Sequence, residues 1–441
     1  MKDRTPNQEP VHPQQDHQET NLLNKPVSRR ELLKMAGIGG AGLLLGAAGV
    51  GALFQGRIFN EAASAPNASP KSNKGEVVEF YGRHQAGITT ATPNFILFAA
   101  FDVVGESLDK VRELFKAWTA AAAAMSRGEP VGEESSNEHL PPKDTGEAAG
   151  LSPSKTTITF GVGPSFFDSR FGLSGKKPAA LVDFPAFGGD ELKPEWCGGD
   201  IGVQVCSDDM QVAFHAVRNL SRIGRGKAVL RWTQEGFQRT SASDPSGSTP
   251  RNLLGFKDGT GNPDTSNDAT MNEVVWAQSG DGADWMAGGT YMAVRRIRMR
   301  VEVWDRSTLS DQERTFGRHR SSGAPLGSAN EFDKVDLNAK DANGKPLIPV
   351  NSHVGLARDD SMRILRRSYS YSSGMDVKTG QLDAGLLFIC FNRDSRKQFI
   401  PLQKKLGQRD LLNEYIVHNG SAHFACFPGA RSGGYIGETL F

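Results

Sequence analysis

Residues 255–263 read Gly255-Phe256-Lys257-Asp258-Gly259-Thr260-Gly261-Asn262-Pro263. Three glycines and a proline in nine positions exclude a regular helix or a central strand: glycine loses too much backbone entropy there, and proline withholds a donor. The run must form a tight loop whose backbone can approach a bulky neighbour closely. It carries one carboxylate, Asp258, with Asn262 four residues on. Asp-Gly and Asn-Pro are also ordinary turn pairs, so taken alone the loop is first of all a surface turn.

The chain has 441 residues, room for one large or two medium domains. Its 51 basic and 50 acidic residues leave a formal net charge of +1, which makes no electrostatic case for nucleic acid or an anionic membrane surface as a partner. Cys197, Cys206, Cys390 and Cys426 form no C-x-x-C pair, which argues against a cysteine zinc site and a C-x-x-C-H attachment. Cys197 and Cys206 could pair outside the cytoplasm or stay as buried thiols.

Residues 1–27 are polar and without apolar period, the composition of a disordered tail. Ser28-Arg29-Arg30-Glu31-Leu32-Leu33-Lys34 follows, then an apolar run from Met35 to Phe54 containing seven glycines, then Ala63-Ser64-Ala65, an A-x-A cleavage pattern. Twenty residues can span a bilayer, but each glycine costs about 1 kcal/mol relative to alanine in a helix, so the run is a weak anchor. The paired arginines resemble the twin-arginine export motif, with Leu32 where an aromatic is usual. Residues 1–65 are therefore expected to be a tail and export signal for the twin-arginine translocase, an uncleaved anchor being the alternative. The product would be periplasmic, cell-envelope or extracellular.

Beyond a lead-in at 66–76, apolar runs and caps alternate. Asn94–Val104 suits a buried strand, and Ser107 caps a helix with Leu108, Val111, Leu114, Phe115 and Trp118 at helical period. Ser126–Ser154 is loop-like. Thr156–Phe160 and Ile201–Cys206 suit strands, Asp208 or Asp209 caps a helix over Met210–Leu220, and Val229–Thr233 is another strand. This strand, helix, strand, strand, helix, strand order is the ferredoxin-like plan. The second half implies the same plan. It has a half-buried strand over Thr290–Trp304, and a helix opened by a capping box at Ser310-Asp311-Gln312-Glu313. Strands follow at Ile364–Tyr371 and Leu386–Asn392, then a helix within Ser395–Leu406 that Pro401 kinks or delays. The expected fold class is α+β: two ferredoxin-like halves, 76–250 and 251–441, each an antiparallel sheet with helices.

The loop at 255–263 resembles the GxxDG signature of the dye-decolourising peroxidases, and its longer form, GFKDGTGNP, resembles the EfeB-type, iron-uptake-associated deferrochelatase/peroxidase branch. Thr159–Phe167, Glu313–His319 and Gly323–Gly327 resemble the same branch. The resemblance implies a haem b cofactor in the C-terminal half, hydrogen peroxide as oxidant, and a dye, phenol or ferrous iron as reducing substrate. A deferrochelatase that takes iron from haem and leaves the porphyrin intact, beside a ferrous-iron permease, is the alternative. A homodimer is expected.

Haem iron needs an axial ligand, and a neutral imidazole backed by a carboxylate suits it. Of nine histidines, His84, His215, His319, His353, His418 and His423 lie in the folded part, and chemistry alone does not choose among them. The resemblance selects His353, in Asn351-Ser352-His353-Val354-Gly355-Leu356-Ala357, with Gly355 where many relatives have arginine. It implies Asp383 as the carboxylate behind His353, Asp258 as proton shuttle for peroxide, Arg366 as the distal cation and Asn262 as holder of a water. It also brings Gly259, Thr260 and Gly261 to the haem edge and Arg358 to a propionate. Trp276, Trp285, Tyr369 and Tyr371 are either electron relays or packing residues.

Overall fold

The computed structural model describes residues 76–133 and 136–441, so the tail, the twin-arginine run and the A-x-A pattern lie outside the described residues. In the first half, β1 (Phe95–Val103) leads to α1 (Leu108–Ser126), β2 (Thr157–Val162), β3 (Ile201–Ser207), α2 (Met210–Ile223) and β4 (Ala228–Phe237). The expected caps hold: Ser107 accepts from the Lys110 amide, and Asp209, not Asp208, accepts from the Val212 amide. The second half begins with the short helix α3 (Asp268–Val274), followed by β5 (Thr290–Met299), α4 (Val301–Trp304), α5 (Leu309–Phe316) and α6 (His353–Ala357). It continues with β6 (Leu365–Arg366), β7 (Tyr369–Asp376), β8 (Gln381–Asn392), α7 (Phe399–Arg409) and β9 (Ile416–Cys426).

Each half orders its strands as a ferredoxin-like sheet, β4-β1-β3-β2 and β7-β8-β5-β9, with every pairing antiparallel. Two short seams join their edges. Phe237 pairs with Ser370 between β4 and β7, and Gly161 and Val162 pair with Cys426 and Ala425 between β2 and β9. The sheet thus closes on itself and leaves few unpaired edges. Much of its interior is apolar, with Ile96, Phe98, Met292, Val294, Ile389, Phe391 and Phe424 all buried. On the outer face of the first half, Leu97, Ala99 and Phe101 pack against Leu114, Phe115 and Trp118 of α1 and Ala213, Ala216 and Leu220 of α2. The Trp118 indole donates to the Leu220 carbonyl at 2.8 Å, so the buried N–H is satisfied.

Closure accounts for several departures from the sequence expectations. β5 ends at Met299, and Val301–Trp304 is a helical turn, not more strand. The arginines of β5 are not simply solvated. Arg296 is fully buried, its guanidinium between the Trp196 and Tyr371 rings at 4.5 and 4.2 Å and bonded to Gln234, Asn419 and Asp383. The cap of α5 is Thr308, two residues before the expected Ser310. Ile364–Tyr371 is broken into β6 and β7. α7, by contrast, starts late as its proline implied, with Pro401 in its first turn, where the missing N–H costs little. β9 was not foreseen: Ile416–Cys426 contains Gly420, where a Cβ would meet the Trp196 carbonyl oxygen at 2.8 Å. All four cysteines are free thiols, three of them buried.

Candidate functional site

The signature loop is folded by its glycines and tethered by its aromatic residue. Gly255 has φ +84°, and the Arg320 guanidinium lies 2.8 Å from where its Cβ would stand. Gly259 has φ +129°, a conformation L side chains rarely adopt. Phe256 is buried and stacks on Phe316 with centroids 4.1 Å apart. The Asp258 amide donates to the Pro250 carbonyl at 2.8 Å. The Asp258 carboxylate accepts from Arg366 Nη1 at 3.0 Å, both side chains being about three-quarters buried. Asn262 also ties the loop to the strand that carries Arg366. Its Nδ2 donates to the Arg366 carbonyl at 2.8 Å and its Oδ1 accepts from the Arg366 amide at 3.1 Å. The amide therefore locks the backbone that carries the guanidinium. Arg367, one residue on, points away and donates to the carbonyls of Thr90 and Ala91.

His353 is the first residue of α6, whose cap, Ser352, accepts from the Gly355 amide. Its Nδ1 lies 2.6 Å from Asp410 Oδ2. Burial pushes the imidazole pKa down, but the Asp410 charge and hydrogen bond more than offset this and hold it above the ordinary value. An ionised Asp410 fixes the proton on Nδ1 and leaves Nε2 with its lone pair, the tautomer a metal ligand needs. The expected partner, Asp383, is elsewhere: it pairs with Arg296 at 2.8 Å and meets the Tyr371 hydroxyl at 3.5 Å. Asp383 compensates a buried guanidinium in the sheet interior and does not line the cavity.

Asp258, Arg366, Asn262 and His353 enter one cavity of about 510 Å³. Gly259, Thr260, Gly261 and Arg358 also line it, as the sequence implied. Ile297, Met299, Leu386, Phe388, Leu402 and Leu406 give it apolar walls from β5, β8 and α7. Arg358 forms no ion pair or side-chain hydrogen bond among the described residues, and Arg318 lies close by with its proton affinity lowered by burial and by the Arg366 and Arg358 charges. At Gly355 a Cβ would lie 2.7 Å from the Pro349 carbonyl oxygen, so this backbone has no room for the arginine found there in many relatives. Of the other histidines among the described residues only His418 reaches the cavity, and burial pushes its pKa down to about 3 without a carboxylate hydrogen bond to hold it. Trp276, Trp285, Tyr369 and Tyr371 pack elsewhere: Trp276 stacks on His84, Trp285 donates to the Lys176 carbonyl, Tyr369 donates to the Pro93 carbonyl, and Tyr371 lies on Arg296.

Sequence reasoning missed Asp410 and Arg318. Asp410 sits 57 positions from His353 and looks like an ordinary cap between α7 and the turn at 411–414.

Residues 85–238 match the family model described as Dyp-type peroxidase, N-terminal, and residues 249–431 match Dyp-type peroxidase, C-terminal. The chain belongs to the Dyp-type peroxidase family. A relative named deferrochelatase, from Shigella flexneri serotype 5b, is 39% identical over 433 residues, covering 96% of this chain and 99% of its own. Two solved structures are equally similar: a DyP-type peroxidase from Streptomyces coelicolor covers 85% of this chain and 99% of its own at 37% identity and TM-score 0.78, and ferric DtpA from Streptomyces lividans gives the same values. Both share the doubled ferredoxin-like fold of this chain.

Proposed function

We propose that the cavity binds haem b and that the protein is a peroxidase using hydrogen peroxide to oxidise a reducing substrate. The observation that carries this is the meeting, in one apolar-walled cavity, of a carboxylate-backed imidazole with an Asp–Arg pair. The fit is chemical. His353 would hold the iron through Nε2, Arg358 and Arg318 suit the propionates, and the walls from β5, β8 and α7 suit the porphyrin. Haem, when bound, supplies an iron centre that hydrogen peroxide oxidises and a reductant restores. Asp258 accepts a proton from the incoming peroxide and returns it to the oxygen that leaves as water. Arg366 holds that carboxylate in place and offsets negative charge on the departing oxygen. Asn262 fixes the backbone from which Arg366 reaches it. Asp258→Asn keeps haem bound, with an unchanged Soret band, and slows peroxide activation by roughly two to four decades in stopped-flow measurements. Unaltered kinetics would overturn the assignment.

The relatives named deferrochelatase support a second reading of the same cavity, removal of iron from haem with the porphyrin intact; a ferrous-iron permease is the partner expected for the released iron. Metal-free protoporphyrin released without peroxide turnover supports it; dye oxidation with excess peroxide and no free porphyrin supports the first. Export by the twin-arginine route to a periplasmic, cell-envelope or extracellular site rests on Arg29-Arg30 and its flanks. Replacing both arginines by lysine should retain the protein in the cytoplasm. The expected homodimer is tested by light scattering.

A further inference from the structure

Among the described residues the Asp258 side chain bonds to Arg366 alone, and it sits on a loop of glycines, so something outside the loop must fix where its carboxylate points. The residues on either side of it show what does. Lys257 Nζ and Thr260 Oγ1 both reach the carboxylate of Glu331, Thr260 at 2.8 Å to Oε1 and Lys257 to Oε2. Glu331 is 74 residues from Lys257 in sequence, in the long segment between α5 and α6, and its side chain is nine-tenths buried. Burial raises its pKa, but the hydrogen bonds from Lys257, Thr249 and Thr260 outweigh that and leave the carboxyl below its ordinary value, so it is an anion at neutral pH.

The rest of the segment reinforces this grip. Arg318 Nη1, on the cavity wall, donates to the carbonyls of Glu331 at 3.0 Å and Gly323 at 2.7 Å. Arg251, just before the signature loop, donates to the carbonyls of Arg320 at 2.6 Å and Ser321 at 2.7 Å. Residues 318–331 therefore form a strap across residues 251–260, and Glu331 is its one carboxylate bonded on both sides of Asp258.

We propose that Glu331 is a positioning residue for Asp258: by holding Lys257 and Thr260 it fixes the turn that presents the carboxylate to the cavity. The inference rests on the peroxidase reading for its kinetic consequence but not for its structural one. Removing the carboxylate releases the hydrogen bonds from Lys257, Thr249 and Thr260, and even at the modest net worth of an ordinary protein hydrogen bond their loss corresponds to a change of about tenfold or more in the local opening equilibrium.

The test uses Glu331→Gln, Glu331→Ala and Thr260→Val. In the cofactor-free protein, amide hydrogen exchange across residues 255–263 should accelerate about tenfold or more in Glu331→Ala and less in Glu331→Gln, which keeps an acceptor for Thr260. Exchange in β1 and β3 should be unchanged. Thr260→Val should accelerate the same amides, and combining it with Glu331→Ala should give less than the product of the two effects, because both cut one link. In the haem-loaded enzyme, kcat/KM for peroxide should fall roughly tenfold, with KM for the reducing substrate unchanged. Parent-like exchange over 255–263, or acceleration spread evenly over the chain, overturns the proposal. Faster local exchange with unchanged peroxide kinetics upholds the grip and overturns its link to Asp258. Failure of the peroxidase reading would appear separately, as unaltered kinetics in Asp258→Asn.

Discussion

On the outer face of the N-terminal sheet, Leu97, Ala99 and Phe101 meet Trp118, Phe115 and Leu220 with no room left over. On the corresponding face of the C-terminal sheet, Ile297, Met299, Leu386 and Phe388 meet a cavity of about 510 Å³. The strand orders of the halves correspond; what differs is the helices. α1 and α2 run 19 and 14 residues and lay apolar faces on their sheet. α6 has only five residues, and α7 begins beyond Ser395 with Pro401 in its first turn. One copy of the plan is filled by its own side chains. The other holds its helices off the sheet, and the apolar surface left between them suits a cofactor.

This contrast can be broken or sharpened by substitution. The largest effect should come from His353→Ala, which should abolish haem retention through gel filtration while leaving thermal unfolding of the cofactor-free protein close to the parent's. Asp410→Asn should weaken haem binding by about ten- to a hundredfold, the usual scale for a residue that orients a metal ligand, as read by haem titration. Phe160→Ala in the filled half should cost about 3–5 kcal/mol in urea unfolding of the cofactor-free protein, whereas Phe388→Ala on the cavity wall should cost under about 1.5 kcal/mol, since no packed space is emptied. Equal costs would mean that the cavity collapses without its ligand. Asp383→Asn should leave haem affinity unchanged and destabilise by about 2 kcal/mol, because it strips a buried guanidinium of its counter-charge while remaining partly solvated itself.

The smallest effect is a pH slope. Burial lowers His418 to about 3 and His423 to about 4, against about 6.5 in an unfolded chain. The unfolded state therefore binds more protons below that value. Stability from these two residues is full above about pH 6.5 and falls as pH drops, by at most about 1.4 kcal/mol per pH unit for each. His423→Gln should roughly halve the slope between about pH 6.5 and 4.5, measured by urea unfolding.

Much of this was legible beforehand where local chemistry is distinctive. A loop of three glycines around one aspartate can do few things, and His353 with Arg366 followed from the same resemblance. The strand and helix order of the first half, and of the second as far as α7, followed from apolar runs and caps. What escaped notice depends on closure through space. Arg296 looks solvent-facing in a strand until Trp196, Gln234 and Tyr371 close over it from elsewhere in the chain. β9 was missed because its glycine serves a neighbouring backbone. Asp410 and Glu331 were missed because a carboxylate acting at long sequence separation is indistinguishable, in one dimension, from a cap or a loop residue. Asp383 attracted the role of Asp410 because it matched a family position, and the geometry assigns it to Arg296 instead.

The two oxygens of Asp410 do separate jobs: Oδ1 accepts from the Leu412 amide at 2.9 Å and Oδ2 from the His353 ring at 2.6 Å. A chain reversal and an imidazole's protonation pattern are thus set by a single short side chain, like two hands of a clock on one spindle. Glutamate, one methylene longer, would serve either the reversal or the ring but not both, so the mildest exchange in chemistry would be a harsh one here.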